Sequence, residues 1–417
     1  MPASSDRFLN PAADIATNSW TDHAAGGTNL YQAIDELSLD DADYVQSPAG
    51  ATSSQYYEAE LETFADPGLS TGHIAHYRYK SSSATDEVAL QVDLMEGATS
   101  RKTWSHSAIS TSFVTQDQTL SGGEADSITD YANLRLRFTP SVTSATPVVT
   151  EVGSTSAGTP NSVFDISLTG MTVGDVLVIH AAFDNSGGGG AARSCTATNQ
   201  SGTPMATSAP AIAHYQQNCD PGAASDGTTV NVVVARIAAT SGTVRLTFGG
   251  NGRIACRAYN LSGIDNANPV TATPVGDFDV ANTNLAVLVD TSVASGNLVW
   301  GFHSVEGPNS DTYTGDGDTN NGSWVATTKL GTSNATATDN QTVYSSYKVV
   351  TATASQTYNP TIGTARDSAG LIVQFARKAP TTSRAVVSWA QFELPAVASG
   401  APPFKSRNRS MRAMLVR

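Results

Sequence analysis

Charge is scarce in this chain: of its 417 residues, only 14% are Asp, Glu, Lys or Arg. No stretch rich in Lys, Glu and Leu repeats at a helical period. These absences disfavour a helical enzyme and favour short strands joined by small-residue turns. Cysteine is nearly missing too. The three present, Cys195, Cys219 and Cys256, make no disulfide framework. Cys195 and Cys219 flank a long loop and are the one pair open to oxidation, with buried, idle thiols as the preferred reading. No apolar run reaches the roughly 18 residues that span a bilayer, so no membrane insertion is expected. The N-terminal MPASSDRFLNPAAD has no basic segment followed by an apolar core, so a secretory leader is not expected and synthesis in a cytoplasm is. Lys and Arg number 23 against 37 Asp and Glu, a formal net charge of −14. Such a surface repels phosphates, which argues against nucleic acid as a partner of the folded body.

What is present begins with length, which suits two or three domains better than one core. Residues 1–145 read as strands. In EVALQVDLM, Val88, Leu90, Val92 and Leu94 alternate with Ala89, Gln91 and Asp93. In ANLRLRFTP, Leu134, Leu136 and Phe138 alternate with Arg135 and Arg137. A period of two places one set on a core and the other in water. YYEAELETF and GHIAHYRYK supply further strands, and DPGLSTG and SGGEAD are turn clusters. LYQAIDELSLDDADYV holds one helical turn; its acidic cluster, Asp35, Glu36, Asp40, Asp41 and Asp43, is read as a solvated loop.

Near the C-terminus, RAVVSWAQFELP reads as a strand with Val386, Ser388, Ala390, Phe392 and Leu394 on one face. Val387, Trp389, Gln391 and Glu393 fall on the other. Nothing after Pro395 builds a core with it. The economical expectation makes it the sheet neighbour of ANLRLRFT, the hairpin loop between them being replaced by a whole domain. The domains are then 1–145 with 380–398, an inserted 146–379, and a basic tail, 399–417.

The insert repeats itself. GMTVGDVLVIHAAFDN, TVNVVVARIAATSGTVRLTF and GRIACRAYNLSG recur as TSVASGNLVWGFHSVEG, TVYSSYKVVTATASQTYNP and SAGLIVQFARK. Each copy opens on a Gly-containing turn, at Gly174 and Gly296. Duplicated antiparallel halves imply a two-sheet sandwich with Greek-key or jelly-roll wiring. Its long polar loops, NSGGGGAARS, QQNCDPGAASDGTT and EGPNSDTYTGDGDTNNGS, are where a rigid β scaffold carries recognition.

The pattern LYQAIDE…DDADYVQS, GHIAHYRYK, TLSGGEADSITDYANLRLRFT and VVSWAQFELP resembles jelly-roll-like domains in virion structural proteins of tailed phages and gene-transfer-agent-like particles. VGDVLVIHAAFDN, SGTVRLTF and YNLSGIDNANPV are similar to β-sandwich domains of phage surface proteins. The resemblance implies a virion component and carries over no functional residues.

Chemistry is thinly marked. The seven histidines are scattered, and His73 and His76, three apart on a strand, point to opposite faces. His180 and His303 fall near matching places in the two copies and are read as core or strand-end residues. No GxSxG elbow and no zinc spacing occurs, so no catalytic residue is assigned. Asp316, Asp318 and Asn320 place oxygens at alternate positions, as a hard cation such as calcium requires; a plain Asp/Asn/Gly turn is the preferred reading and calcium the alternative. Gly falls one residue late for an EF-hand, and Thr327 stands where a bidentate Glu belongs. Tyr313, Tyr215 and Trp324 are candidates for stacking on sugar rings, Tyr313 the best placed for the surface and Trp324 favoured for core packing. Lys405, Arg407, Arg409, Arg412 and Arg417 form a basic tail, either solvated or docked on an acidic partner.

The expectation is an all-β, non-enzymatic virion protein, oligomeric, in contact with other virion proteins: a tail fibre, spike or head-decoration component. The alternative is an adhesin for host surface glycans. A polysaccharide depolymerase is third, and the missing catalytic signature argues against it.

Overall fold

The computed structural model describes residues 7–396, less 25–26, 37, 85, 186–192, 208–210, 220–226, 334–338 and 381. The chain is all-β and divides into two compact units, Met1–Ser144 with Ala379–Arg417, and Ala145–Lys378.

Strands of the first unit before the division are β1 (Phe8–Leu9), β2 (Pro11–Ala16), β3 (Thr21–Asp22), β4 (Val45–Gln46), β5 (Tyr57–Leu61), β6 (Ile74–Ser81), β7 (Asp86–Glu96), β8 (Thr99–His106), β9 (Val114–Thr119) and β10 (Leu134–Ser144). The last strand of the chain, β26 (Ala385–Glu393), returns to this unit. One antiparallel sheet runs β3-β4-β26-β6-β9, with β1 on β26; the other runs β2-β5-β10-β7-β8. Alternation decides what each sheet buries. Val88, Leu90, Val92 and Leu94 of β7 join Leu134, Leu136 and Phe138 of β10 in one core, with Ala75, Tyr77 and Tyr79 facing them from β6. The only α-helix among the described residues, Gly122–Asp126, starts at a capping box. Ser121 Oγ accepts from Glu124 N, and Glu124 Oε2 accepts from Ser121 N at 2.7 Å.

Two expectations about β26 need correction. It is not the neighbour of β10: it pairs with β6, β4 and β1, whereas β10 pairs with β5 and β7. The strands lie in facing sheets and meet through side chains across one core. The connection between them therefore crosses from sheet to sheet and is no hairpin. The face assignment holds for Ala390, Phe392 and Leu394 and fails before them. A bulge between Val387 and Trp389 shifts the phase by one residue. Ala385 and Val387 face the core before the bulge, and Ala390, Phe392 and Leu394 after it.

Asp86 fixes the place where the chain leaves and re-enters this unit. It pairs in the ladder with Ser144, the last residue of β10. Its amide donates to Ser383 Oγ, and Ser383 N donates back to Asp86 Oδ2, both at 3.2 Å.

The second unit holds β11 (Val148–Thr169), β12 (Val176–Asp184), β13 (Cys195–Ser201), β14 (Ala213–Cys219), β15 (Thr228–Arg236) and β16 (Ser241–Ser262) in its first half. Its second half holds β17 (Val275–Asn284), β18 (Leu288–Val293), β19 (Leu298–Glu306), β20 (Tyr313–Thr314), β21 (Val325–Ala326), β22 (Leu330–Gly331), β23 (Gln341–Val349), β24 (Ala354–Tyr358) and β25 (Thr361–Phe375). The sheets run β11-β16-β12-β15-β14 and β17-β25-β19-β23-β21, so the two halves share one strand order. Register matches as well: Val176 pairs with Leu261, and Leu298 with Phe375.

The halves pack face to face. Val176, Val178, Tyr259 and Leu261 meet Leu298, Trp300, Phe302 and Phe375. Each sheet is covered on its other face too. In the first half β11 and β16 run on past the sheet, and their far ends lay Phe164, Ile166, Val244 and Leu246 over Leu177 and Ile179. In the second half the same hairpin is broken, and β18 and β24 form a separate ribbon that covers Val299 and Ile372. Burial on both faces explains why β12 and β19 read as nearly continuous apolar runs. TVRLTF and GRIACRAYNLSG, read as two strands, are one strand, β16, because the layers share it. Gly174 and Gly296 open the halves with φ of +94° and +84°, left-handed values that suit glycine alone at low cost.

Candidate functional site

The end of the second unit remote from its termini gathers connections from both halves. Ala145 O accepts from Arg377 Nε at 3.3 Å, and Lys378 N donates to Gly263 O at 2.9 Å, so the unit begins and ends beside the starts of β12 and β19. β12 carries the chain away from there for 9 residues, about 25–30 Å. At its far end Asp184 pairs with Thr228, Cys219 with Thr228, and Glu306 with Gln341. The connections 185–194, 220–227, 307–312 and 332–340 all spring from these strand ends.

Buried polar groups fix the bases of those connections. Thr228 Oγ1 bonds Gln341 Oε1 at 2.5 Å and Ser304 Oγ, tying the two sheets together. Gly227 N donates to Glu306 Oε2 at 2.9 Å. Asn185 Nδ2 donates to Cys219 O at 3.1 Å, and Thr229 Oγ1 to Asn218 Oδ1 at 2.8 Å. Arg366 grips Asp311 with two contacts, Nε to Oδ2 at 2.7 Å and Nη2 to Oδ1 at 3.2 Å. Arg253 reaches Asp184 and Asp339.

The calcium candidates fold around a cation that the chain itself supplies. Lys348 is 1% exposed. Its Nζ lies 3.2 Å from Asp318 Oδ2, 3.1 Å from Asn320 O and 4.8 Å from the Trp324 ring centroid. The remaining carboxylate oxygens are engaged by backbone: Asp316 Oδ1 by Asp318 N, Asp316 Oδ2 by Asn359 N, and Asp318 Oδ1 by Asn320 N, at 2.7 to 2.9 Å. Hydrogen bonding from Asn320 N, then the Lys348 ammonium, holds the Asp318 carboxyl below its ordinary range. Among the described residues no three His, Cys, Asp or Glu side chains converge on a point a metal ion could occupy.

The aromatic candidates separate. Tyr313 is not a surface platform: it stacks on Tyr344 at 4.7 Å and packs beside Leu285, Val305 and Ile362. Trp324 packs on Tyr358 at 4.7 Å, beneath the ribbon of β18 and β24. Tyr215 lies half-buried on edge strand β14, packed against the core between the halves, while its outward-facing neighbours His214 and Gln216 line a cleft of ≈ 300 Å³ with Ser194 and Asn231. Burial lowers the His214 pKa and raises that of Tyr215. Lys405, Arg407, Arg409, Arg412 and Arg417 lie outside the described residues.

No protein-family model and no curated protein matches this chain.

The thiols are free and buried. Cys195 belongs to the outer core of the first half and Cys219 to the core between the halves, so the sheet stands between them and they do not pair. Burial pushes both thiols up to about 12, which leaves almost no thiolate at neutral pH. His180 and His303 are both core residues. Phe302 meets the His180 ring edge-on at 5.0 Å, and His303 Nε2 lies 2.8 Å from Ala286 O on the opposite side of its sheet.

Sequence reading missed Lys348, Thr228 and the Arg366–Asp311 clamp. Lys348 left one sign: a cation inside TVYSSYKVV, a run otherwise without charge. In the first unit it missed His76, whose Nδ1 lies 2.7 Å from Asp117 Oδ1 and whose Nε2 lies 3.0 Å from Glu393 Oε2, with Arg7 also on Glu393. These contacts join β26 to its sheet neighbours through groups far apart in sequence.

Proposed function

We propose that this chain is a non-enzymatic structural component of a virion, its first unit wired as a jelly roll and its second carried as a self-contained passenger. The strand order supports that wiring. Taken in sequence, β4 to β10 and β26 are eight strands that interleave as β4-β26-β6-β9 and β5-β10-β7-β8. Interleaving of this kind is what the double Greek key of a jelly roll would produce, an architecture used by viral capsid and lectin domains. The carrying observation is the junction at Asp86. Exit and return are hydrogen-bonded to one residue, so a domain of any size is accommodated between β10 and β26 without disturbing either sheet.

Particles purified from a culture of the source cells after induction of lysis test the proposal. The protein is expected to cosediment with particles at fixed stoichiometry, and antibodies raised against residues 145–378 are expected to decorate their surface. Recovery of the protein only in the soluble lysate, with none on particles, refutes it.

A second reading, an adhesin for host surface glycans, is favoured by one observation: the polar connections spring from the end of the second unit opposite its termini. Binding of the full-length chain to an array of bacterial surface polysaccharides addresses it. Binding lost on Gln216→Ala, which leaves the Tyr215 packing intact, locates the glycan at the cleft, and silence across the array counts against this reading.

A further inference from the structure

β17 is a strand that its own unit covers on one side, where Gln217 packs at Gly276 and Cys219 Sγ donates to Asp279 O at 3.4 Å. It lies at the edge of its sheet and, among the described residues, pairs in register with β25 alone. Val275, Phe278 and Val280 are 47%, 48% and 42% exposed. Val287, just before β18, and Val289 within it are also exposed. Soluble proteins guard such edges, because an apolar edge strand is a template for another chain. The guard here is acidic. Asp277 Oδ1 accepts from Phe278 N and Asp279 Oδ1 from Val280 N, both at 2.9 Å, and Asp367 Oδ1 accepts from Ala281 N at 2.7 Å. Apolar side chains thus alternate with carboxylates along a free edge.

An occupant of this strip must offer apolar side chains and cations together. A second β17 fails that requirement, since Asp277 and Asp279 would meet their own kind. One segment of the chain meets it. After Glu393 there is no acidic residue, and Phe404, Met411, Met414, Leu415 and Val416 are interspersed with Lys405, Arg407, Arg409, Arg412 and Arg417. We infer that the C-terminal segment 404–417 of one copy docks along β17 of a neighbouring copy, its guanidinium groups taking the Asp277 and Asp279 carboxylates and its apolar side chains covering Phe278 and Val280. Residues 397–417 fully extended span about 70 Å, enough to reach another molecule. The charge distribution favours contact between copies: bodies that repel one another through their net charge are joined by the one segment of opposite sign.

Sedimentation velocity of the full-length chain at low and high salt tests this. Concentration-dependent self-association is expected in low salt, weakened at high salt as exposed ion pairs are screened. The triple variant Asp277→Asn, Phe278→Ser, Asp279→Asn and the tail variant Arg407→Glu, Arg409→Glu are each expected to weaken it tenfold or more. A strand variant Asp277→Arg, Asp279→Arg, mixed with the tail variant, is expected to restore association between unlike chains, a rescue that a folding defect does not give. The inference is overturned if the full-length chain is monomeric at every concentration and salt, if both variants associate as the parent does, or if the charge-swapped pair fails to associate.

Discussion

Acid should weaken the second unit, and His180 and His303 set most of the loss. Both rings are fully enclosed, and burial holds them neutral: the His180 pKa falls from 6.5 to about 3, with the positive field of His303 adding to desolvation, and that of His303 falls from 6.5 to about 4. The unfolded chain takes up protons near pH 6.5 while the folded chain does not. Stability is therefore complete above that pH and is lost as pH falls toward the folded values. At pH 5.5, still above the isoelectric point of 4.8, each histidine removes about 1.4 kcal/mol, so the pair removes about 3 kcal/mol relative to pH 8. Urea unfolding of the full-length chain, followed by near-ultraviolet circular dichroism from the core around Trp300, measures this at pH 8, 6.5 and 5.5. His180→Leu should abolish about half of the loss in that transition. A parent that loses less than about 1 kcal/mol, or a His180→Leu chain with the parental pH slope, would refute the assignment.

Other perturbations follow from single contacts. Lys348→Met leaves Asp318 and the Asn320 carbonyl without their cation and should cost about 1–3 kcal/mol, read as a lower urea midpoint for the second unit. Asp86→Ala removes both bonds to Ser383 and should lower the first unit's calorimetric transition by about 1–3 kcal/mol while leaving the second in place; loss of both together would contradict a self-contained passenger. Gly301→Ala drives a methyl into the Tyr358 ring, and overpacking of this kind costs about 1–3 kcal/mol, visible as a lower melting temperature. Cys195, Cys219 and Cys256 should resist a thiol reagent at pH 8 in the folded chain and all react in urea; rapid native labelling of any one would show that its enclosure is wrong.

Much of the fold was legible because local periodicity and turn chemistry are written residue by residue. Leu134, Leu136 and Phe138 against Arg135 and Arg137 gave β10 its buried face, since a strand has no other way to place alternate side chains. The repeated Gly174 and Gly296 marked equivalent turns, and the blocks that follow them became strands of identical order. Ser121 and Glu124 held a capping box in plain view that was read only as a turn. The phase of β26 failed because a bulge at Ser388 is an event of pairing, invisible in a run of apolar letters. At the Asp316 loop the spacing favoured a plain turn with a calcium site as the alternative, and it carried no sign that Lys348, some thirty residues on, lies against Asp318 and Asn320.

By itself, then, the sequence determined the class, the duplicated halves, the acidic surface and most of the inward-facing side chains, all consequences of composition and short-range spacing. Only the tertiary structure decided which strands are neighbours, that β10 and β26 face each other across a core, and that Lys348 sits among Asp318, Asn320 and Trp324. Those contacts join residues tens to hundreds of positions apart. Hydrogen bonding and desolvation select them only when every layer is in place, and no local pattern encodes that choice.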